Sequence, residues 1–547
     1  MISELSERRI LTTICLLMWM IPLFAQQSQT ASSPAAVSHL PLIMIDTHGQ
    51  TIVDEPKITV DIKVIDNGTG KQNSTADPGN QYDGLAGIEI RGQSSQMFPK
   101  KSYGLELRDA SGADKKAALM GMPSESDWVL YAPYSDKTML RNAMTYYLGR
   151  RMGRWQPGFR FCELYLNGSY QGVYQLTEKI KRDKDRVDVD KLDPTDVSGE
   201  DMTGGYIVKV DKVDGSNYFT VYPDYKFQNA HNIRWTWYYP EYEDLTTEQQ
   251  NYFKSFVKTV ENTINGSSFT DPVWGYARYL DILSFIDFQI VNELGNNVDG
   301  YRYSTYFHKE NDEDGGKLNA GPLWDFDLCY GNLDYSPRHL ATDQWSYTYW
   351  GPNEYNCMHW WYRLMQDPNY VKALHHRWTE LRKGAFSTDS ILAYMDGQVS
   401  FLGEAINRNF SKWPILSSYV WPNSAVRYSY SSEISFLKNW VLDRLAWMDA
   451  NWMENTTQPD TIPQFEAISV YPNPVADWLT IELPRSDTYY TIRLTDLRGA
   501  QIFAEMTRDF NSSSYRVNLK GLGEGLYLLT VVRPGIQPVT TKIIRRN

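Results

Sequence analysis

The hydrophobic pattern of the chain changes twice, and these changes limit the folds that it can adopt. From Leu40 to about residue 215 apolar and polar residues mostly alternate, as in Ile58–Ile65, which is typical of strands with one buried face. From Thr246 the period becomes helical, and in 431–452 apolar residues recur three and four positions apart. After residue 465 short alternating segments return. The pattern predicts an α+β protein with a β-rich half, an α-rich half and a small β-sandwich.

Local signals refine the β-rich half. Asn167-Gly168, between two alternating segments, is a strong signal for a two-residue hairpin turn. The segment Asp136–Met152 has a helical apolar face, with Ser135 or Asp136 as a candidate cap. Residues 86–180 are therefore predicted to form three strands, a helix and two more strands. In the α-rich half the first two predicted helices are Thr246 to about Asn265 and Asp281–Leu294.

The N-terminal segment has the composition of a secretory signal peptide. An apolar run at Ile10–Phe24 follows two arginines and precedes small and polar residues, and it is short for a membrane span of about 20 residues. No later apolar stretch is long enough to span a bilayer. The predicted organisation is a leader (1–25), a linker (26–39), a main domain (40–453, divided near 215), a Pro/Thr-rich linker (454–464) and a tail domain (465–547).

Charge and cysteine content exclude some classes of function. The net charge of −12 argues against a nucleic-acid-binding protein, which usually has a basic face. Without Cys15 of the leader, the odd set Cys162, Cys329 and Cys357 remains. These residues provide no complete disulfide framework and no zinc spacing. A Cys329–Cys357 bridge is one alternative, and we predict a free buried thiol at each position.

The segment Asn292–Asn332 contains the most informative acidic residues. Asp299 follows an apolar helical run, and Asp325 and Asp327 lie in the sequence WDFD, after a Gly-Pro break. Two loops with carboxylates, joined by a hairpin-like segment, can form a site for phosphate and metal. A simple Asp-Gly turn is the alternative interpretation of Asp299.

The tail resembles the C-terminal sorting domain of the type IX secretion system. The matching segments are VYPNP (470–474), LxDxxG (494–499), Leu519 with GLY (525–527), and TKII (541–544). The resemblance implies a secreted or cell-surface protein that is exported through the periplasm and the outer membrane by the type IX secretion machinery.

The main domain resembles the spore-coat protein H (CotH) kinase family. The matching segments are RGxSS (91–95), PKKSY (99–103), SDWVL (126–130), DKxxLRN (136–142), ELYLNGxYxGVY (163–174) and WDFD (324–327). The resemblance implies an atypical protein-kinase-like fold with two lobes, a small lobe at about 40–215 and a large lobe at about 216–453.

The resemblance also implies roles for the acidic segment. Asp325 corresponds to the metal-binding Asp of kinases, and Asp327 would add a second ligand for Mg²⁺ or Mn²⁺. Asp299 corresponds to the catalytic-loop Asp that accepts the proton of the acceptor hydroxyl or orients it. Ser304 stands where kinases have a metal-binding Asn, and a hydroxyl is a weaker ligand than an amide oxygen.

For ATP, the resemblance implies a cation on the phosphates and a loop that covers them. Lys101 is the candidate cation and Lys100 its rival, because adjacent strand residues point to opposite faces. Arg91 could contact phosphate or form a structural ion pair. Ser94 and Ser95 lie where kinases have their Gly-rich loop, and the segment ending at Glu178 lies where the hinge contacts adenine.

These observations leave functions of different classes open. The first is a secreted protein kinase that transfers the γ-phosphoryl group of ATP to Ser or Thr of surface or secreted proteins. The alternative is an inactive kinase-like surface protein that acts in adhesion or in matrix or glycan binding through its aromatic-rich second half. A glycoside hydrolase using Asp299 and Asp325 is a third hypothesis, and it requires carboxyl groups about 5–9.5 Å apart.

Overall fold

A computed structural model describes residues 36–453 and 468–546. Within these ranges it leaves out 214, 216, 229, 272, 350, 352–355, 484–489, 497–500, 508–513 and 534–535. The predicted signal peptide, most of the first linker and the whole of the second linker lie outside the described residues. Those assignments, and the domain boundaries, therefore remain predictions.

The N-terminal region is a closed β-barrel with one helix. Its elements are β1 (Val37–Ser38), β2 (Leu42–Asp46), β3 (Ile58–Ile65), β4 (Asn73–Ser74), β5 (Tyr82–Arg91), β6 (Ser102–Arg108), β7 (Asp127–Tyr131), α1 (Arg141–Arg151), β8 (Phe159–Leu166) and β9 (Ser169–Glu178). The barrel order is β2-β3-β5-β6-β7-β9-β8, and the parallel pairing of β2 with β8 closes it. Alternation along the strands places one set of side chains, including Ile62, Ile88, Leu105 and Leu176, in a buried cluster.

The predicted succession of strands and helix over 86–180 is confirmed. Asn167 and Gly168 have φ angles of 50° and 72°, as the predicted hairpin turn requires. Helix α1 begins at Arg141, five residues later than predicted, because the Asp136 side chain holds the preceding residues in a turn. Its Oδ1 accepts from Thr138 N at 3.1 Å and its Oδ2 from Arg141 N at 3.0 Å.

The following region combines a sheet with most of the helices. Its elements are β10 (Tyr206–Val210), β11 (Tyr218–Thr220), β12 (Arg234–Tyr239), α2 (Thr247–Asn265), α3 (Ile282–Gly295), β13 (Thr305–Lys309), β14 (Leu318–Ala320), α4 (Pro337–Leu340), α5 (Trp360–Leu364), α6 (Pro368–Arg382), α7 (Thr388–Leu402), α8 (Ala405–Lys412) and α9 (Tyr430–Trp452). The five strands form one sheet in the order β11-β12-β10-β13-β14. The prediction of a β-rich half followed by a helical region is therefore confirmed in outline.

Capping signals in the sequence set the helix starts. Thr246 and Gln249 form a reciprocal capping box at α2, and Asp281 caps α3 by accepting from Ser284 N. Both predicted helices are confirmed. Helices α7 and α8 are separated at Gly403, whose φ of 46° interrupts the helical backbone.

The described residues of the tail form seven strands, in the region where the sequence has short alternating segments. They are β15 (Ser469–Tyr471), β16 (Trp478–Glu482), β17 (Tyr490–Thr495), β18 (Gln501–Thr507), β19 (Ser514–Asn518), β20 (Gly525–Arg533) and β21 (Ile536–Arg545). They pair as two sheets, β15-β16-β19 and β18-β17-β20-β21, and their buried side chains form one apolar cluster.

Two further features of the described residues concern the cysteines and the apolarity of the helices. Cys162, Cys329 and Cys357 are all buried, and no disulfide links them. Among the helices that the structure describes, none has an apolar stretch long enough to cross a membrane.

Candidate active site

A cleft of about 500 Å³ lies where the barrel meets the helical region. Its lining comes from the end of β5 and the following turn, from strands β7 and β9, from the residues after β10, and from the loops around 299 and 325. Seven of the nine predicted site residues line it: Arg91, Ser94, Ser95, Asp299, Ser304, Asp325 and Asp327. Side chains far apart in the sequence are thus brought to one cavity.

The loop that carries Asp325 is held in place by residues of α1 and the preceding turn. Asn142 Oδ1 accepts from Phe326 N at 2.7 Å, and Arg141 Nε donates to Cys329 O at 2.9 Å. Arg141 is itself fixed by Asp136, with 2.6 Å between Nη1 and Oδ1. Residues of the DKxxLRN segment therefore hold the loop of the WDFD segment in place through hydrogen bonds. Asp325 has a φ of 64°, an uncommon conformation for a residue other than glycine.

The loop that carries Asp299 follows the end of α3. Asn297 Oδ1 accepts from Asp299 N at 3.0 Å, and Asn297 Nδ2 donates to Asn292 Oδ1 at 2.9 Å. The turn continues with Tyr303 N donating to Asp299 O at 2.9 Å. These bonds fix the backbone of the loop and leave the Asp299 carboxylate directed to the cleft, which it lines.

The cleft carboxyl groups have raised pKa values. Desolvation by the surrounding protein, followed by the charge of Asp325, raises the pKa of Asp299 to about 6. Desolvation and then the charge of Asp211 raise the pKa of Asp325. Arg91 and Lys212 oppose this shift, and the Asp325 residue is exposed to the cleft. Desolvation and the charge of Asp325 raise that of Asp327. Asp299, Asp325 and Asp327 therefore form an acidic end of the cleft, where negative charges disfavour one another.

Two of the predicted site residues do not line the cleft. Lys101 lies just before β6, and its Nζ donates to Gln96 O at 2.5 Å. Its rival Lys100 is buried on the other side, where Nζ donates to Val173 O at 2.6 Å and to Asn409 Oδ1 at 3.0 Å. Glu178 is also buried, and its carboxylate accepts from Gly158 N at 2.7 Å. The predicted hinge segment instead reaches the cleft through Gln175 and Thr177.

Sequence reasoning missed the basic contribution of β10. Lys209, Asp211 and Lys212, at the end of this strand and just after it, all line the cleft, as does Arg302 of the Asp299 loop. A signal was present, because Lys209 and Asp211 are two residues apart in an otherwise apolar strand and so share one face. Only the pairing of β10 with β13 shows that this face meets the acidic loops.

The carboxylate oxygens of the cleft suit a hard cation that is also coordinated by the phosphates of a bound ligand. Within the described ranges, no three His, Cys, Asp or Glu side chains converge as a metal-binding group. Mg²⁺ is commonly bound by one or two carboxylates together with substrate phosphates and water. Asp325 and Asp327 provide two carboxylates with raised pKa values, so a cation here would offset the repulsion between them.

The fold and cleft define a mixed α/β protein with a cleft of about 500 Å³, lined by both acidic and basic side chains, between a β-barrel and a helical region. A family model described as CotH kinase protein matches residues 88–448, which is more than half of the chain. The chain therefore belongs to the CotH kinase family. All seven predicted residues that line the cleft lie within the matched range.

A second family model, described as a secretion system C-terminal sorting domain, matches residues 469–546. The chain therefore carries a type IX sorting domain, which is handled by the type IX secretion machinery and indicates export to the cell surface or secretion. A search of curated proteins found no match to the chain.

Proposed function

We propose that the protein is a secreted atypical protein kinase that transfers the γ-phosphoryl group of ATP to Ser or Thr of surface or secreted proteins. The observation that carries this proposal is the shared cleft of Asp299, Asp325 and Arg91. The proposal includes a kinase-like fold of two lobes, with the barrel as the small lobe, and a β-sandwich tail.

The proposed roles follow from charge and position. Asp325 and Asp327 would hold Mg²⁺ or Mn²⁺, which neutralises charge on the transferred phosphoryl group when bound. Arg91, at the end of β5, is positioned to contact phosphate oxygens, and the turn of Ser94 and Ser95 covers the same side of the cleft. Ser304 lines the acidic end and offers a hydroxyl oxygen.

Asp299 is the proposed base. The acceptor hydroxyl donates its hydrogen bond to the Asp299 carboxylate, and the hydroxyl oxygen forms a bond to the γ-phosphorus. The bond from that phosphorus to the β–γ bridging oxygen breaks, ADP leaves, and the acceptor proton passes to Asp299. A pKa of about 6 makes Asp299 a stronger base than an ordinary carboxylate while it is still ionised at neutral pH.

The test is transfer of radiolabelled γ-phosphate, to the protein itself and to a mixture of surface proteins, with Mg²⁺ or Mn²⁺. We expect transfer by the wild-type chain, and a loss of at least about 10³-fold in Asp325→Asn, because transition-state charge would lose a metal ligand. The matched control is Asp396→Asn, an exposed carboxyl on α7 outside the cleft. Equal activity of both variants, or no nucleotide binding by the wild type, would contradict the proposal.

One observation favours a second candidate function, a binding role in adhesion or glycan recognition. Tyr335 and Trp421 stack at the cleft with ring centroids 6.0 Å apart and an interplanar angle of 12°, and they are 48% and 37% exposed. Such a pair offers a flat apolar surface beside polar groups. Binding of matrix glycans that is lost in Trp421→Ala, in a chain that binds no nucleotide, would favour this function over the kinase.

A further inference from the structure

Four basic side chains of the described residues line the cleft, and they differ in their partners. Lys209 is neutralised by Asp211, with 2.9 Å between Nζ and Oδ2. Arg302 stacks on the ring of Tyr303, with its Cζ 4.2 Å from the centroid. In the part of the chain that the structure describes, no ion pair is formed by the other two, Arg91 and Lys212. Basic side chains that form no direct ion pair in a concave, partly desolvated cavity attract anions.

Lys212 extends from the helical region toward the barrel. It follows β10, where its N–H donates to Asp211 Oδ1 at 2.8 Å. Its Nζ lies 3.4 Å from Ser94 Oγ and 5.4 Å from the ring centroid of Tyr303. The ammonium group is therefore between the turn that covers the cleft and the loop that carries Asp299.

Arg91 reaches the cleft from the barrel. It is the last residue of β5, and its guanidinium lies over Trp324, with Cζ 5.5 Å from the ring centroid. Trp324 directly precedes Asp325. Both cations act on the same carboxylate: enclosure raises the pKa of Asp325, and Arg91 and Lys212 are among the charges that oppose the shift. A ligand beside Asp325 is thus within electrostatic reach of both.

We propose that Lys212 and Arg91 form a phosphate clamp for the donor nucleotide, with Lys212 in the role for which the sequence indicated Lys101. The inference rests on the proposed function and names residues that bind its donor. A polyphosphate carries several charges and can contact both cations with different phosphate groups, whereas AMP offers them one phosphate group of lower total charge. Donor binding would replace the contact of Lys212 with Ser94.

The structure explains why neither lysine of the PKKSY segment takes this role. The Lys101 ammonium is engaged by a carbonyl outside the cleft lining, and Lys100 is buried against β9 and α8. Lys212 is exposed and lies just after β10. The adjacent acidic residue, Asp211, is already paired with Lys209. Its charge is available to a ligand without the breaking of an ion pair.

The test compares Lys212→Met with Lys101→Met in the full chain. Equilibrium binding of ATP and of AMP is measured in the presence of Mg²⁺, together with KM and kcat. We expect Lys212→Met to weaken ATP binding by about tenfold to a hundredfold, as for loss of a charge-assisted hydrogen bond, and AMP binding much less. Lys101→Met should bind ATP like the wild type. Lys212→Arg should restore most of the affinity.

The other outcomes are distinct. Loss of ATP binding in Lys101→Met but not in Lys212→Met overturns the clamp and leaves the kinase proposal standing. An equal loss of ATP and AMP affinity in Lys212→Met shows a structural effect and also overturns the clamp. Absence of ATP binding by the wild-type chain overturns the proposed function, and the clamp with it.

Discussion

Two groups of carboxylates in this protein differ in what surrounds them. Glu163 on β8 and Glu293 on α3 are fully buried, and each faces an arginine from the helical region. Asp299, Asp325 and Asp327 line the cleft, where none of them forms an ion pair within the described residues. The carboxylates of the first group connect elements of the fold through their ion pairs. Those of the second group have no ion-pair partner among the described residues, so their negative charge favours a ligand from outside the chain.

Glu163 shows the effect of a complete set of partners. Arg408 donates to both of its oxygens, at 2.9 and 2.8 Å, and the Tyr170 hydroxyl donates to Oε1 at 2.6 Å. Burial alone would raise the pKa of Glu163, but these hydrogen bonds outweigh it and lower the pKa. Ionised Glu163 therefore stabilises the fold above the ordinary carboxyl range, and this contribution is lost as pH falls through the lowered value.

The cleft carboxylates have the opposite balance. Desolvation and repulsion by neighbouring carboxylates, Asp211 in the case of Asp325, raise their pKa values, so ionising them destabilises the folded state. Proteins commonly carry such a cost at sites that bind ligands, because the same unbalanced charge attracts the ligand. The comparison with Glu163 therefore distinguishes a carboxylate whose ionised form stabilises the fold from carboxylates whose ionised form does not. Glu293 lies between the two cases, because desolvation raises its pKa although Arg444 opposes the shift.

The largest expected effect on stability comes from breaking a buried pair. Arg444 and Glu293 are both fully buried, and Arg444 also donates to Glu293 O at 2.7 Å and to Gln344 O at 2.6 Å. Arg444→Met leaves Glu293 charged or protonated without its cation, and we expect a loss of about 3 kcal/mol in the free energy of unfolding. Urea denaturation measures this change.

Two control variants sharpen that comparison. Lys438→Met breaks an exposed pair with Asp396 and should cost less than about 1 kcal/mol. Asp325→Asn removes a cleft charge and should cost no stability, although we expect it to lower the proposed phosphoryl transfer strongly. If Asp325→Asn destabilised the chain as much as Arg444→Met, Asp325 would belong with the structural carboxylates.

A smaller effect is expected from the titration of Asp299. Its folded-state pKa of about 6 lies above the ordinary value, so the folded protein binds this proton more tightly than the unfolded chain. The resulting stability is fully present below about pH 4 and is lost as pH rises through 6. Asp299→Asn should therefore stabilise the protein relative to the wild type by about 1 kcal/mol at pH 7.5.

The measurement is the difference in unfolding free energy between wild type and Asp299→Asn across pH 4–8. The difference should be small at pH 4 and should grow between pH 4.5 and 7. Asp334→Asn, which alters an exposed carboxyl that accepts from the Tyr419 hydroxyl, is measured in parallel as the control. A difference that is constant with pH would show that Asp299 does not titrate in this range.

Local features of the fold could be predicted from the sequence, and pairings between distant segments could not. The Asn167-Gly168 turn and the capping residues Thr246 and Asp281 act through bonds to near neighbours, so their residue types are sufficient. Closure of the barrel requires β2 to pair with β8, more than 100 residues later, and alternation alone does not specify a partner.

In the candidate site, too, residues marked by local patterns could be predicted, and residues placed by long-range pairing could not. Motifs mark Arg91 and Asp325, Asp299 follows an apolar helical run, and the structure places all three in one cleft. The order of strands indicates Lys101, but this residue lies just before β6 and its ammonium group donates to Gln96 O in the adjacent turn. Lys212 has no motif of its own. Its position depends on a sheet that joins strands from 206 to 320, which the sequence pattern does not assemble.

The smallest expected effect concerns Ser304, where the kinase pattern has an Asn. Ser304 lines the cleft in a left-handed conformation, with a φ of 48°, which Asn adopts more readily than most residues. Ser304→Asn should therefore raise stability by a few tenths of a kcal/mol, about the scale of such local backbone preferences. An amide oxygen is also a better ligand than a hydroxyl, so the Mg²⁺ concentration for half-maximal ATP binding should fall severalfold.

Ser304→Ala separates these two contributions, because it keeps the backbone conformation without a side-chain oxygen. It should lose a little stability and should raise the half-maximal Mg²⁺ concentration, opposite in sign to Ser304→Asn. Equal Mg²⁺ dependence in all three proteins would place Ser304 outside the metal site. It would then be a residue of the cleft wall whose conformation, rather than its oxygen, serves the loop between Asp299 and β13.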